Sequence, residues 1–357
     1  MKFNPSKPFT VGIELEVQIV DPETFELKAA SELIFKSPPT PLVQKEFLQS
    51  MVEFVSGVHH SPESAVEELK QAVEKVCSLG EEVGFLLSAS GTHPTAEPER
   101  VRVTEDRRYL RLLDEFQEVL RNFLIYGLHV HIGFPDEESM MKAYNGFVKY
   151  SPLFLALSSS SPFFRGRNTG ILSYRSKIFE QLPRAGTPQH FSTYGQFLEL
   201  YHRLREAGVV ESLKDIWWDV RPRPDLGTVE LRICDSVSDF KRLEGLVSLA
   251  VMVGELFAEE GVPPEFHQVN LQNKWSAARY GLSGIFITES GRSTVGKELH
   301  RLVNLYGKRF GRKEEAAKLL LNLITEPTQA EQQLDAVRKT GNTSEAVKVS
   351  LLNRRLC

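Results

Sequence analysis

The chain has 357 residues, 41% hydrophobic and 25% charged, with a formal net charge of −4. That balance belongs to a globular protein able to bury a large core, and it gives no footing to a general nucleic-acid binder. No run approaches the roughly 20 apolar residues of a membrane helix. Cys77, Cys234 and Cys357 are too scattered for a metal pair or a disulfide framework, so a cytoplasmic protein without nucleic-acid or membrane partners is expected.

In chain order, residues 10–20 read as a strand and 46–56 as a second β-like stretch. Ser61-Pro62-Glu63 opens a helix, with proline in the first turn and an acid near the positive end. Leu87 to His93 reads as a short strand, and a helix over 105–125 leads into a strand at Leu128–Ile132. Asp136 caps a helix over 137–149. Ser158 to Pro188 is a long Ser-, Gly-, Arg- and Pro-rich loop, the kind that is functional or mobile in a compact domain. A helix over 193–207, a strand within Trp217–Asp235, and helices over 239–258 and 270–280 follow. From about 295 the pattern is helical, and residues 297–357 carry 12 Lys and Arg against 7 Asp and Glu, read as a solvated basic surface. Without repeats or a clear linker, this order predicts a single α+β unit rather than a regular βαβ series.

Three strands carry reactive residues two positions apart: Glu14 and Glu16, His129 and His131, Glu230 and Arg232. That spacing puts each pair on one strand face, with branched residues on the other. Any one of these strands alone reads as a solvated face. Three with complementary chemistry predict a shared site for hard metal ions and phosphate. Glu46 and Glu53 would add carboxylates, although a separation of seven is odd and demands a bulge or bend. Two carboxylates about 4 Å apart repel by roughly 4 kcal/mol at an effective dielectric of 20, so such a cluster must bind cations or hold protons. Arg221 and Arg232 suit phosphate oxygens.

Several segments together resemble glutamate–cysteine ligase family 2, the carboxylate–amine ligases. They are Phe9–Glu16, Glu46–Glu53, Gly127–Gly133, Ser161–Gly170, Ser173–Arg175, Trp217–Pro222, Thr228–Arg232 and Asn273–Leu282, spread over residues 8–285. The resemblance implies a curved, mainly antiparallel sheet with flanking helices, as in glutamine synthetase-type and guanido kinase-like catalytic folds, with residues 286–357 as a helical extension. It implies Glu14, Glu16, Glu46, Glu53, His129 and Glu230 as ligands of two or more Mg²⁺ or Mn²⁺ ions. His131, Arg221 and Arg232 would face ATP and the acyl phosphate, with Arg221, Arg232 and Glu230 as the catalytic set. Arg165, Arg167, Tyr174 and Arg175 would line the substrate side. The implied activity joins glutamate, or a similar carboxylate, to an amine such as cysteine at the expense of ATP, in a homo-oligomer of which a dimer is favoured. Residues 60–125 and those from Ser290 onward follow the family only loosely, and an amine pocket built there would not inherit specificity for cysteine.

Rival readings remain. Gly291-Arg292-Ser293-Thr294-Val295-Gly296-Lys297 is close to a phosphate-binding loop, but Glu298 replaces the hydroxyl expected after the lysine, so a turn and helix start is expected instead. His129 and His131 could hold zinc in an amidohydrolase, or the chain could bind nucleotide or amino acid without turnover.

Overall fold

Alternation in the first strand sets the architecture. In β1 (Val11–Val20), Val11, Ile13, Leu15 and Val17 are buried on one face, while Glu14 and Glu16 take the other. The computed structural model, which describes residues 1–311 and 314–352, adds β2 (Val43–Lys45), β3 (Met51–Val55), β4 (Leu86–Ser88), β5 (Gly127–Gly133), β6 (Val220–Arg223) and β7 (Thr228–Asp235). These form a seven-stranded antiparallel sheet in the order β6–β7–β5–β1–β3–β2, with β4 against the end of β1.

The apolar face of the sheet joins the main core with the Pro62–Val83, Glu137–Ser158 and Phe240–Phe257 helices. Burying such a face supplies most of a fold's driving force, at about 25 cal/mol per Å². Over the opposite, polar face sits a smaller cluster that includes Leu112, Phe123, Phe179, Leu182 and Trp217. The α+β class and the antiparallel sheet flanked by helices are as expected.

Some boundaries differ, each for a local reason. The helix expected to end near 149 runs on to Ser158 through Pro152. Proline removes one helical donor, and the Ser151 hydroxyl takes up the freed Val148 carbonyl at 3.0 Å. The helix expected over 105–125 spans Arg107–Arg121 and breaks at Gln117, where φ is 45°. The 46–56 stretch is not one strand: β3 is preceded by a chain reversal from β2. Short pieces, Phe163–Phe164 paired with Arg167–Asn168 and a helix at Arg175–Phe179, interrupt the long loop. Residues 286–357 are not helical from their start, because Ile285–Thr288 and Gly291–Thr294 form a hairpin before the Val295–Phe310 helix. The glycine-rich stretch is therefore a strand, with Thr294 capping the helix and Glu298 buried beside Arg301 rather than facing a phosphate. Cys77 and Cys234 are buried and form no disulfide among the described residues. Cys357 lies outside the described residues. No helix among the described residues is long and apolar enough to cross a membrane.

Candidate active site

Antiparallel register turns spacing along strands into one shared face, because residues directly opposite across a ladder point to the same side. Glu14 stands opposite His129, Glu16 opposite Glu53, and Glu230 opposite both His131 and Arg221. Glu46 joins them by another route. Gln44 is opposite Glu53 in the reversal from β2 to β3, so Glu46, two residues further on, falls on the side of Glu53. The odd separation is absorbed by a change of strand, not by a bulge within one.

Hydrogen bonds order the imidazoles. His129 Nδ1 lies 2.8 Å from Glu14 Oε2, and His131 Nε2 lies 3.1 Å from Glu14 Oε1. Burial alone would raise the Glu14 pKa, but hydrogen bonds from the two rings hold it far below the usual carboxylate range. The other nitrogen of His131 meets Thr228 Oγ1 at 3.1 Å. His129 Nε2, by contrast, is buried with no hydrogen-bond partner, 3.9 Å from Glu16 Oε1. Burial, aided by the Arg232 guanidinium, lowers the His129 pKa to about 4. With Nδ1–H donated to Glu14, the neutral ring turns a lone pair into the site, the arrangement that orients an imidazole as a metal ligand.

At Glu16, Glu46 and Glu53 burial prevails over the nearby Arg232 charge. Burial and then the Glu46 charge push Glu16 up to about 7. Burial raises Glu46 as well, and burial followed by Glu14, Glu46 and Glu16 pushes Glu53 well above its usual range. Donor atoms of Glu14, His129 and Glu230 lie within 4.8 Å of one another, as do those of Glu16, Glu53 and His129. Glu46 stands outside both groups and accepts from the Tyr109 hydroxyl at 3.2 Å. Carboxylate-rich sets with a single imidazole fit Mg²⁺ or Mn²⁺ better than zinc. Both nitrogens of His131 are engaged, one by Glu14 and the other by Thr228.

Three guanidiniums close the other side. Arg221 Nε and Nη2 approach Glu230 Oε2 at 2.9 and 2.6 Å, and Nη1 donates to the Leu213 and Ile216 carbonyls at 3.0 and 2.8 Å. Every N–H of Arg221 is thus occupied in holding Glu230 or the backbone. Burial works against the ionised Glu230, but Arg221 and Arg232 keep its pKa well below the usual value. Arg232 also donates to Glu230, yet its Nε is buried without a partner and the side chain lines a cavity with Glu16, Glu46, His129 and Arg175. Arg232 therefore has donors to spare.

Arg223, absent from the expected set, lies 3.3 Å from Glu230 and pairs with Asp225 at 2.8 Å. Its signal was the spacing in Arg221-Pro222-Arg223, which repeats the two-residue rule. Of the expected substrate residues, Arg175 is buried, donates to the Ile233 and Arg232 carbonyls, and lines the cavity. Arg165 is exposed and paired with Glu99 and Asn122, Arg167 is exposed, and Tyr174 packs on the Phe164 ring; none of the three lines the cavity.

The glutamate-cysteine ligase family 2 model matches residues 10–348. A relative from Thermobifida fusca, provisionally named glutamate–cysteine ligase 2, is 33% identical over 307 residues, covering 83% of this chain and 77% of its own. One from Herpetosiphon aurantiacus with the same provisional name is 35% identical over 361 residues, covering 96% and 92%. A Francisella tularensis glutamate–cysteine ligase solved in complex with AMP superposes with a TM-score of 0.72 at 13% identity, over 99% of this chain and 89% of that one. Fold and family together define an ATP-dependent carboxylate–amine ligase built on a glutamine synthetase-like sheet. The chain belongs to glutamate–cysteine ligase family 2.

Proposed function

We propose that the site activates the γ-carboxylate of glutamate, or a closely similar acid, and transfers the acyl group to an amine. A carboxylate oxygen attacks the γ-phosphorus of ATP, ADP leaves, and an acyl phosphate results. The lone pair of a neutral amine then attacks the acyl carbon, the C–O bond to phosphorus breaks, and phosphate departs carrying the proton of the amine. No nucleophilic serine or cysteine is needed.

The observation that carries this reading is the buried, partnerless His129 Nε2 among carboxylates whose pKa values burial raises. Glu14, His129 and Glu230 would hold one divalent cation, and Glu16 and Glu53, with Glu46 beside them, another; Mg²⁺ there would offset the negative charge of the phosphates. Arg232 offers its free donors where charge spreads over the transferred phosphoryl group. Arg221 and Arg223 keep Glu230 ionised and oriented, and His131 steadies Glu14. Arg175, at the cavity wall, is placed to meet the charged end of the acid.

The test is ADP release with Mg·ATP and L-glutamate across a panel of amines that includes L-cysteine. Release that depends on both glutamate and an amine is expected. Amine-dependent release that ignores glutamate would name a different acid, and no release with any pair would refute the ligase reading.

A further inference from the structure

The cavity beside the carboxylates has two unlike ends. Glu16, Glu46, His129, Arg175 and Arg232 form one of them. The other consists of Leu112, Leu120, Phe123, Phe179, Leu182 and Trp217, which belong to one packed apolar cluster. The cavity measures about 140 Å³, close to the roughly 150 Å³ that holds a benzene ring. The Arg175 guanidinium lies 5.4 Å from the Phe179 ring centroid and marks the junction of the two ends.

We infer that the apolar end receives the side group of the amine, and that the preferred acceptor is a primary amine bearing a branched aliphatic or aromatic group rather than a small polar one. This rests on the ligase reading above. The charged groups of a glutamate-like acid find partners at the polar end, where Arg232 and Arg175 each keep a buried Nε without a hydrogen bond. They would find none among leucine and phenylalanine side chains, where an unpaired polar group is costly. An amine must shed its proton before it attacks, and apolar surroundings favour the neutral form. The same lining keeps water from an acyl phosphate formed at the polar end. The helix carrying Leu112 and Leu120 supplies one wall, and its Tyr109 hydroxyl is tied to Glu46, so both ends are built on one element.

The experiment measures kcat/KM for ethylamine, isobutylamine, isopentylamine and phenethylamine, whose basicities are similar, against ethanolamine and L-cysteine. ATP with an ¹⁸O-labelled β,γ-bridge and glutamate alone reports acyl-phosphate formation independently of the amine. The expected result is a rise of about threefold to fourfold per added methylene, with phenethylamine or isopentylamine at the top. In Leu112→Asn the ratio between phenethylamine and ethylamine should collapse toward unity. Isotope scrambling accompanied by a flat series, or by a preference for ethanolamine or cysteine, overturns the apolar acceptor and leaves the ligase standing. Absence of both scrambling and ADP release overturns the ligase reading itself. A raised KM for ATP with an unchanged amine ratio in Leu112→Asn would assign the apolar end to adenine and refute the inference. The wild-type series decides the matter even if that variant does not fold.

Discussion

Glu16→Gln should make the metal-free protein more stable at alkaline pH while removing its stabilisation by Mg·ATP. Glu16 is buried between Glu46 and the backbone of Gly127, and its pKa rises from 4.5 to about 7. In the native state the carboxyl therefore holds its proton where the unfolded chain has already lost it. The stability linked to this proton is complete below about 4.5 and is lost as pH rises through about 7. At about 1.36 kcal/mol per pK unit, a rise from 4.5 to about 7 amounts to roughly 3 kcal/mol. A glutamine of the same shape can still accept from Gly127 N–H but carries no charge to hold. Urea unfolding in the presence of a chelator, compared between variant and wild type at pH 5 and pH 8, isolates this group from the other titrating residues. The two proteins should match at pH 5, and the variant should lead by about 2–3 kcal/mol at pH 8. Saturating Mg·ATP should then raise the wild-type midpoint but not that of the variant, because ligand binding stabilises only a state able to bind it. A variant less stable than wild type at pH 8 without metal would show that the cluster is not short of positive charge, and the argument for cation binding would fall.

Two further outcomes are expected. His93 Nε2 faces the Phe25 carbonyl at 2.9 Å, while Nδ1 accepts from the Ala96 amide at 3.1 Å; burial lowers its pKa from 6.5 to about 4. The unfolded chain takes up that proton first as pH falls, so about 3 kcal/mol of stability should be lost between pH 6.5 and 4, and His93→Gln should flatten this limb in a urea titration. Arg221→Met should cost about 3 kcal/mol in urea unfolding by leaving Glu230 buried with fewer partners. An unchanged midpoint there would mean that Arg223 and Arg232 alone suffice for Glu230.

Much of the fold was legible because its main strands alternate strictly and its long helices carry clear starts. Asp136 and Ser61 cap their helices through bonds from Ser139 and Ser64 amides, as the sequence suggested. What escaped was tertiary. Pro152 reads locally as a helix breaker and is overridden by burial and by the Ser151 hydroxyl. Gly291 read as part of a turn before a helix start; the helix does start, at Val295, but cross-strand pairing of Ile285–Thr288 with Gly291–Thr294 makes a hairpin ahead of it. Pairing partners distant in sequence leave no trace in local spacing. Arg165 and Arg167, close in sequence to Arg175, could not be separated from it by residue type. Only the turn between the Phe163–Phe164 and Arg167–Asn168 strands carries them out to solvent.

One irregularity in Thr228–Asp235 is announced by no pattern in the sequence. Leu231 pairs with Val130, but the next partner of Leu128 is Cys234, so β7 carries an extra residue at Arg232–Ile233. A bulge bends its strand and re-aims a side chain. Ile233 and Cys234 are both buried there, while the Arg232 amide continues the ladder to β6 by donating to the Asp219 carbonyl at 2.7 Å. Arg232 can then reach Glu230 on its own strand and still line the cavity with Glu16 and Glu46. On the β6 side the register of Arg221 with Glu230 and Val220 with Leu231 continues regularly to Asp219 and Arg232, so Arg232 stays in plain alternation with Glu230. Arg221 and Arg223, on the neighbouring strand, bring further positive charge to Glu230. That division of labour keeps Glu230 ionised while Arg232 commits only part of its guanidinium to it. Arg232, which like Arg175 keeps a buried Nε without a hydrogen bond, thus has a donor to spare beside the bulge.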